Sequence, residues 1–290
     1  ERAARTSMQA TCVAPLDVLI VGSGISGLVA ASALAPKFPR LRILEARARV
    51  GGRLYSTEDG IDLGASWIWA HDQSAEKLAR RLGVEPVPQR LEGNAWVHHA
   101  GQDARPVGNV GDQIAPCGPG ARRFAGGYHE LPRRLAGTLP DDVLQLGARV
   151  VSLTHEQPLV SSSSASIRVG LEDGETFYAR RVILALPPRL AAQLVFTPPL
   201  PEDTRRQLES TATWCGDWTK VVATFRRAFW REEGHSGVAA TPGGLVEVWW
   251  EADGGNSGGS PSLAGLTFGA TGVQRLAKYV DVEGGAVTVE

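Results

Sequence analysis

The sequence predicts an α/β fold, and three observations at its start support this prediction. A short apolar run, DVLIV, occupies Asp17–Val21 and has the composition of a buried strand. The glycine-rich turn GSGISG follows directly, and the apolar segment LVAASALA then continues at helical spacing. Strand, tight turn and helix in this order are typical of Rossmann-like dinucleotide-binding units.

Each residue of the turn has a predicted task. Gly22 permits the tight turn, Gly24 lets a pyrophosphate approach the backbone, and Gly27 lets the helix pack closely on the strand. Ile25 and Ser26 lie at the predicted helix N-terminus, where unpaired N–H groups and the helix dipole favour a phosphate. The turn therefore predicts a site for the diphosphate of a dinucleotide.

The second predicted strand ends in an acidic residue. Leu41–Leu44 is apolar, and Glu45 follows it. An acidic residue about 20 positions after the glycines can bind the hydroxyls of an adenosine ribose. Glu45 is therefore the predicted ribose ligand.

The segment after Glu45 favours a flavin over a nicotinamide. It contains a second glycine-rich loop, Gly51–Arg53, and then the segment GIDLGASWIW at residues 60–69. FAD needs such additional loops, because its pyrophosphate and isoalloxazine extend past the first βαβ unit. Arg53 can place a guanidinium on a phosphate, and Gly64 and Ala65 leave room for backbone beside the ring.

In this order and spacing, GxGxxG, LEARxRVGGR and DLGASW resemble the flavin-containing amine oxidase family, which includes monoamine, polyamine and L-amino-acid oxidases. The resemblance covers roughly residues 13–230 and continues through FAGGYHELP at 124–132, LGARVV at 146–151, RVILALPP at 181–188 and FTPPLP at 196–201. It implies a glutathione-reductase-like FAD-binding domain interleaved with a mixed-sheet substrate domain, and it places Val150 against the adenine. The residues predicted to contact FAD are Gly22, Gly24, Ile25, Ser26, Gly27, Glu45, Ala46, Arg47, Gly51, Gly52, Arg53, Gly64, Ala65, Ser66, Trp67 and Val150.

The predicted domains are discontinuous. Residues 14–70 and 121–188 are assigned to the FAD-binding domain, and residues 71–120 and 189–290 to the substrate domain, which is expected to be incomplete at its C-terminus. Within residues 71–123 we expect a short helix followed by a Gly- and Pro-rich loop, and Ser161–Ser164 is expected to be a hairpin loop. Further strands are predicted at Thr219–Phe225, Leu245–Trp250 and Leu263–Phe268.

Lys220 is the predicted catalytic residue. It lies in the apolar, β-branched run WTKVVATF, and the chain has only four lysines against 26 arginines, so a lysine here is unexpected as surface charge. A buried lysine can lose its proton, and its compact ammonium can hold one water. The resemblance implies a strand lysine that holds a water against flavin N5. The alternative is an edge-strand lysine that faces solvent.

The resemblance implies oxidation of the C–N bond of a small amine to an imine, with dioxygen as acceptor and hydrogen peroxide as product. Two alternatives remain open. A related flavoprotein could desaturate a carbon skeleton, although Lys220 argues against this, and a truncated flavoprotein-like chain could lack catalysis altogether.

The sequence departs from the family in two places. The connection between DLGASW and the Gly-Gly turn, residues 70–123, lacks the long helical insertion of many members, so the substrate funnel is expected to be smaller or more open. After Phe268 the last FAD-binding stretch of the family is missing. We therefore expect a fragment or a degenerate paralogue that by itself binds FAD weakly and oxidises amines poorly or not at all, with the missing segment or a second copy as partner.

Composition argues against several other functions. A net charge of −1 gives no general attraction to nucleic acid, and no run reaches the roughly 18 apolar residues of a membrane span. The three cysteines are widely spaced, which favours a reducing compartment, cytoplasmic or organellar. His98 and His99 have no partner at ligand spacing, so no metal site is predicted.

Overall fold

The computed structural model describes residues 14–156, 166–213, 215–252, 259–276 and 278. The strands are β1 (Val18–Val21), β2 (Leu41–Leu44), β3 (Pro86–Pro88), β4 (Asn94–Val97), β5 (Arg105–Pro106), β6 (Arg122–Phe124), β7 (Leu144–Gln145), β8 (Val150–Glu156), β9 (Ser166–Leu171), β10 (Thr176–Ala179), β11 (Val182–Leu184), β12 (Val195–Thr197), β13 (Thr219–Thr224), β14 (His235–Ala240), β15 (Val248–Glu251) and β16 (Ser262–Thr267). The helices are α1 (Ile25–Leu34), α2 (Gln73–Arg81), α3 (Gly111–Ile114), α4 (Glu130–Ala136), α5 (Pro188–Ala191), α6 (Glu202–Ser210), α7 (Phe229–Glu232) and α8 (Gly269–Leu276).

The chain forms two compact units. The first contains the described residues up to Arg49 together with Leu139–Thr211, and the second contains Val50–Thr138 and the described residues from Ala212 onward. These units divide the chain at positions other than the predicted domain boundaries. Those boundaries concern where cofactor and substrate bind, and they stay predictions.

The first unit contains a parallel sheet in the order β11-β1-β2-β7. Strand β1 has strands on both sides and all four of its residues are buried, which explains its uninterrupted apolar sequence. A second sheet has the order β10-β9-β8-β12. The core of this unit is formed by Leu19, Val21, Leu44, Ala148, Val150, Leu153, Val169, Leu171 and Ala179.

The second unit contains a sheet in the order β13-β16-β15-β14-β4-β5, with the pair β3-β6 separate from it. Strands β13, β16, β15 and β14 are antiparallel neighbours, whereas β14 pairs with β4 in parallel. The core on this sheet consists of Ile61, Ala95, Ala115, Cys117, Ala121, Val238, Val248, Trp250, Ala252, Ala264 and Leu266. Each unit thus has its own apolar core.

The structure confirms the strands and helix predicted around the glycine-rich turn and the strand that carries Lys220. The prediction that residues 71–123 are mainly loop after one helix is wrong, because this stretch also contributes β3, β4, β5, α3 and β6. These strands are two to four residues long, and β4 pairs with β14, far along the chain. Such short strands leave almost no local periodicity.

The predicted loop at Ser161–Ser164 lies outside the described residues. Among the residues that are described, none of the helices has the length and apolar character needed to cross a membrane.

Candidate functional site

The turn between β1 and α1 has the geometry that its glycines suggest. Gly22 has a φ of 101°, and a Cβ there would lie 2.8 Å from the carbonyl oxygen of Ala185. A Cβ on Gly27 would lie 2.0 Å from the oxygen of Gly22, so only glycine allows the helix to approach this closely. By contrast, a Cβ on Gly24 would meet nothing within 4 Å.

The open space at Gly24 lies at the N-terminus of α1, where Gly24 is the N-cap and has no side chain to offer the first N–H groups. These N–H groups have no acceptor within the helix by its geometry. Ile25 is half-buried and Ser26 is exposed in this first turn. A diphosphate fits this space, because the backbone here can be approached closely and offers donors.

Glu45 follows β2 and is buried beside the same turn. One of its carboxylate oxygens, Oε2, accepts hydrogen bonds from the backbone N–H of Ser23 at 2.8 Å and from the hydroxyl of Ser23 at 3.0 Å. The other, Oε1, accepts the backbone N–H of Arg47 at 3.0 Å. The carboxylate is therefore held firmly in place, and each oxygen retains acceptor capacity for a ribose hydroxyl.

The remaining predicted contacts of the first unit lie near Glu45. Ala46 and Arg47 are exposed, and the carbonyl of Arg47 accepts the N–H of Gly147 at 3.0 Å. Val150 begins β8, is buried, and belongs to the core of the unit. This arrangement places an apolar side chain and the buried carboxylate in one unit, as a site for an adenosine would require.

In the second unit, residues 51–66 form a folded-back loop. Gly51 has a φ of 97°, and a Cβ there would lie 2.5 Å from the oxygen of Leu54. Gly52 also has a positive φ, of 57°. A Cβ on Gly64 would lie 1.9 Å from the carbonyl oxygen of Arg53. Gly64 is therefore required because the chain passes so close to itself at this point. This is a second reason for a glycine here, in addition to the room for a flavin that the sequence suggested.

The side chain of Lys220 points inward from β13, although β13 is an edge strand in the described part of the sheet. Its Nζ donates to the carbonyl oxygens of Asp62 at 3.1 Å and Gly64 at 2.6 Å, and to the hydroxyl of Ser66 at 2.6 Å. The structure therefore brings the predicted catalytic lysine together with the predicted loop of Gly64, Ala65 and Ser66. The alternative of a solvent-facing edge lysine is wrong.

Burial determines the electrostatics of this site. Burial lowers the pKa of Lys220 to about 8, against an opposing attraction from Asp62. Burial likewise raises the pKa of Asp62, partly offset by hydrogen bonds from Ser56 and the N–H of Tyr128 and by the charges of Lys220 and Arg123. An amine with a pKa of about 8 exists in both protonation states near neutral pH, which suits a group that exchanges protons.

A pair of tryptophans lies on one side of this amine, with Trp250 next to it. Nζ of Lys220 lies 5.6 Å from the ring centroid of Trp250, and the rings of Trp250 and Trp67 are 4.9 Å apart. The indole N–H of Trp67 donates to Oε1 of Gln89 at 3.0 Å, and Nε2 of Gln89 donates to the carbonyl of Glu251 at 2.9 Å. Gln89 thus connects the loop of Trp67 to strand β15.

Sequence reasoning missed Asp62, Gln89 and the specific role of Trp250. Asp62 is an acidic residue among mainly apolar neighbours in GIDLGASWIW, which is the one signal that could have identified it. Gln89 and Trp250 depend on contacts between distant segments and leave no such signal. Over the part of the chain that the structure describes, no three His, Cys, Asp or Glu side chains gather into a group that could hold a metal ion.

Comparison with protein families gives two matches. The family model described as flavin containing amine oxidoreductase matches residues 99–279, more than half of the chain. A model described as an NAD(P)-binding Rossmann-like domain matches residues 20–82, which include the glycine-rich turn and Glu45.

Curated relatives are flavin-containing amine oxidases. Amine oxidase A of Equus caballus is 23% identical over 90% of this chain and 66% of its own length, and that of Bos taurus is 24% identical over 76% of this chain and 58% of its own. Putrescine oxidase of Kocuria rosea is 23% identical over 77% of this chain. The chain thus spans about three fifths of the length of the mammalian enzymes that it matches.

Solved structures share the fold. A variant of putrescine oxidase superposes with a TM-score of 0.76 at 18% identity, covering 93% of this chain and 78% of that one. Cyclohexylamine oxidase from Brevibacterium oxydans gives a TM-score of 0.74 at 19% identity, covering 93% of this chain and 79% of that one. At these identities the likeness concerns the fold alone.

Proposed function

Because the chain belongs to the flavin-containing amine oxidoreductase family, which implies FAD as its cofactor, we propose that it oxidises the C–N bond of a small amine to an imine. Dioxygen is the proposed acceptor and hydrogen peroxide the product. The observation that carries this proposal is the half-buried amine of Lys220, held by the oxygens of Asp62, Gly64 and Ser66.

Each unit by itself contains residues that we propose as FAD contacts. In the first unit, the turn of Gly22, Gly24 and Gly27 receives the diphosphate and Glu45 receives the ribose, with Val150 against the adenine. The open space at Gly24 and the spare acceptor capacity of Glu45 support this assignment. In the second unit, the loops of Arg53 and of Gly64–Trp67 are proposed to hold the flavin end. The further contacts proposed are Ile25, Ser26, Ala46, Arg47, Gly51 and Gly52.

The chemistry that FAD supplies when bound is acceptance of a hydride from the carbon beside the amine nitrogen, followed by two-electron reduction of dioxygen to hydrogen peroxide. The balanced reaction converts R₂CH–NH₂ and O₂ into R₂C=NH and H₂O₂, and water then hydrolyses the imine. The protein must orient the neutral amine, exclude bulk water and move protons.

Lys220 is proposed to hold a water and to exchange a proton with it through Nζ, which must release one of its three oxygen partners, the Ser66 hydroxyl or a carbonyl, when the water binds. A pKa of about 8 supports this role, because a lysine with its ordinary pKa of 10.5 would rarely release its proton near neutral pH. Ser66 contributes a hydroxyl that can donate to the neutral amine or accept from the charged one. The ring of Trp250 covers the amine on one side, and Trp67 packs against Trp250.

The test is to saturate the purified chain with FAD and to supply a panel of primary and secondary amines under air. We expect anaerobic bleaching of the flavin absorbance by at least one amine, and hydrogen peroxide in equal amount to imine under air. The matched variants are Lys220→Met and, as control, Lys77→Met, which changes an exposed lysine on α2.

Several results would contradict the proposal. Tight binding of NAD without affinity for FAD would exclude FAD as the cofactor. Flavin reduction by an alkene precursor but by no amine would favour carbon-skeleton desaturation. Bound FAD that no amine reduces, in a folded chain, would favour the non-catalytic alternative.

A further inference from the structure

Asp62 lies at the centre of the contact between two loops of the second unit. Its Oδ1 accepts the hydroxyl of Ser56 at 2.7 Å and the backbone N–H of Tyr128 at 2.7 Å. The same Ser56 hydroxyl oxygen accepts the backbone N–H of His129 at 3.1 Å. One carboxylate oxygen therefore joins residues 56–62 to the turn before α4.

Glycines allow these two loops to approach closely. A Cβ on Gly127 would lie 2.5 Å from the hydroxyl oxygen of Ser56, and a Cβ on Gly60 would lie 2.8 Å from the carbonyl carbon of Gly126. Both Gly60 and Gly127 also have a positive φ, of 82° and 86°. The loop that carries Asp62 is thus fixed by packing as well as by hydrogen bonds.

The same loop supplies the acceptors of Lys220. The carbonyl of Asp62 itself and that of Gly64 both receive hydrogen bonds from Nζ. Asp62 is buried, and the charged groups that act on it are Lys220 from β13 and Arg123 from β6, with Tyr128 as a neutral neighbour whose pKa burial raises to about 12. Asp62 is the titratable group whose charge acts on Lys220.

We propose that Asp62 is a positioning residue for Lys220. Its carboxylate fixes the loop that presents two carbonyl oxygens to Nζ, and its negative charge keeps the proton on Nζ. The consequence for oxidation rests on the proposed function, but the positioning itself is a property of the folded chain and can be measured without turnover.

Asp62→Asn separates the two contributions. Both hydrogen bonds to Asp62 end on Oδ1, so the amide oxygen of asparagine can accept both, while the charge is lost. Asp59→Asn is the matched control, because Asp59 is an exposed carboxylate of the same loop. The four lysines of the chain make a ¹³C-lysine NMR titration simple, and Lys220→Met identifies the signal of Lys220.

In the wild-type chain we expect the Lys220 signal to titrate with a midpoint at about 8. In Asp62→Asn the midpoint should be lower by roughly one pH unit, because an attractive charge near the amine is gone. In Asp59→Asn the midpoint should not change. A folded Asp62→Asn chain with an unchanged or higher midpoint would overturn the proposal.

A reciprocal titration decides the matter if Asp62→Asn does not fold. Because the coupling between two charges is mutual, Lys220→Met should raise the titration midpoint of the Asp62 carboxyl. This midpoint is measured by ¹³C-aspartate NMR. An unchanged midpoint would overturn the proposal.

The pH profile of flavin reoxidation separates this proposal from the proposed function. If the NMR midpoint of Asp62→Asn falls and the reoxidation profile follows it, both are supported. If the midpoint falls and the profile stays where it is, the effect of the Asp62 charge on Lys220 is supported and the proposed role of Lys220 in oxidation is contradicted.

Discussion

At the residue scale, burial gives Glu45 and Lys220 properties that neither would have on the surface. The carboxylate of Glu45 is fixed by three hydrogen bonds, and the amine of Lys220 by three oxygen acceptors. The inward position of Lys220 could be expected from sequence because lysine is rare in this arginine-rich chain and because the resemblance implies a strand lysine at this place. Asp62 could not, because its role depends on Tyr128, 66 residues away.

Replacing Glu45 with alanine should weaken FAD binding by about 1–3 kcal/mol, because the ribose hydroxyls lose a charged acceptor in a buried position. The measurement is the quenching of flavin fluorescence on titration of the chain into FAD. Glu58→Ala, which removes an exposed carboxylate, should leave the affinity unchanged. Equal affinities for the Glu45 variant and the wild type would remove Glu45 from the proposed site.

Lys220 should make stability depend on pH in the alkaline range. Its pKa is about 8 in the folded chain against 10.5 for an ordinary lysine, so between these values the unfolded chain binds more protons. The free energy of unfolding of the wild type, relative to Lys220→Met, should therefore rise from pH 8 to pH 10 by roughly 1–3 kcal/mol. Urea unfolding at both pH values measures this rise.

The comparison with Lys220→Met cancels the contribution of Tyr128 and other titratable groups to the pH dependence of the unfolding free energy, because both chains contain these groups. Lys77→Met serves as the exposed control, and its unfolding free energy should change with pH as that of the wild type does. A difference between wild type and Lys220→Met that is flat from pH 8 to pH 10 would show that the amine is solvated.

At the element scale, the turn between β1 and α1 positions the candidate residues of the first unit, and the edge strand β13 positions Lys220 in the second. Sequence alone predicted both, since glycines at fixed spacing and a β-branched run are local signals. Strands β4 and β5 were missed, because Asn94–Val97 and Arg105–Pro106 are short and become strands only through pairing with partners such as β14. For such short segments, the tertiary structure determines whether they form strands.

Two substitutions in the turn should affect different properties, FAD binding in one case and stability in the other. Gly24→Val places a side chain where no atom lies within 4 Å and where φ is −61°, so the chain should fold normally but lose FAD binding. Gly27→Ala places a methyl group 2.0 Å from the oxygen of Gly22, so it should destabilise the fold by roughly 1–3 kcal/mol or more.

Urea midpoints and FAD titrations on both variants test this pair. Wild-type FAD affinity in Gly24→Val would show that the open space at the N-terminus of α1 does not receive the diphosphate. An unaltered urea midpoint in Gly27→Ala would show that helix and strand pack less closely than described.

At the scale of the whole molecule, each of the two units has its own apolar core. The α/β class could be predicted from the first fifty residues, since local motifs specify it. The six-stranded sheet of the second unit could not be predicted in full, because its strands come from residues 94–106 and 219–267. The contact of Lys220 with residues 62–66 follows from that assembly.

The most direct test of the central claim is the reoxidation rate of the flavin. The chain saturated with FAD is reduced with dithionite and mixed with oxygenated buffer in a stopped-flow instrument, so that the identity of the amine does not matter. Lys220→Met should keep FAD bound but slow reoxidation on the order of tenfold to a thousandfold, the range for one positioned proton-transfer or electrostatic group. Lys77→Met should match the wild type. An unchanged rate in Lys220→Met, with flavin still bound, would contradict the account.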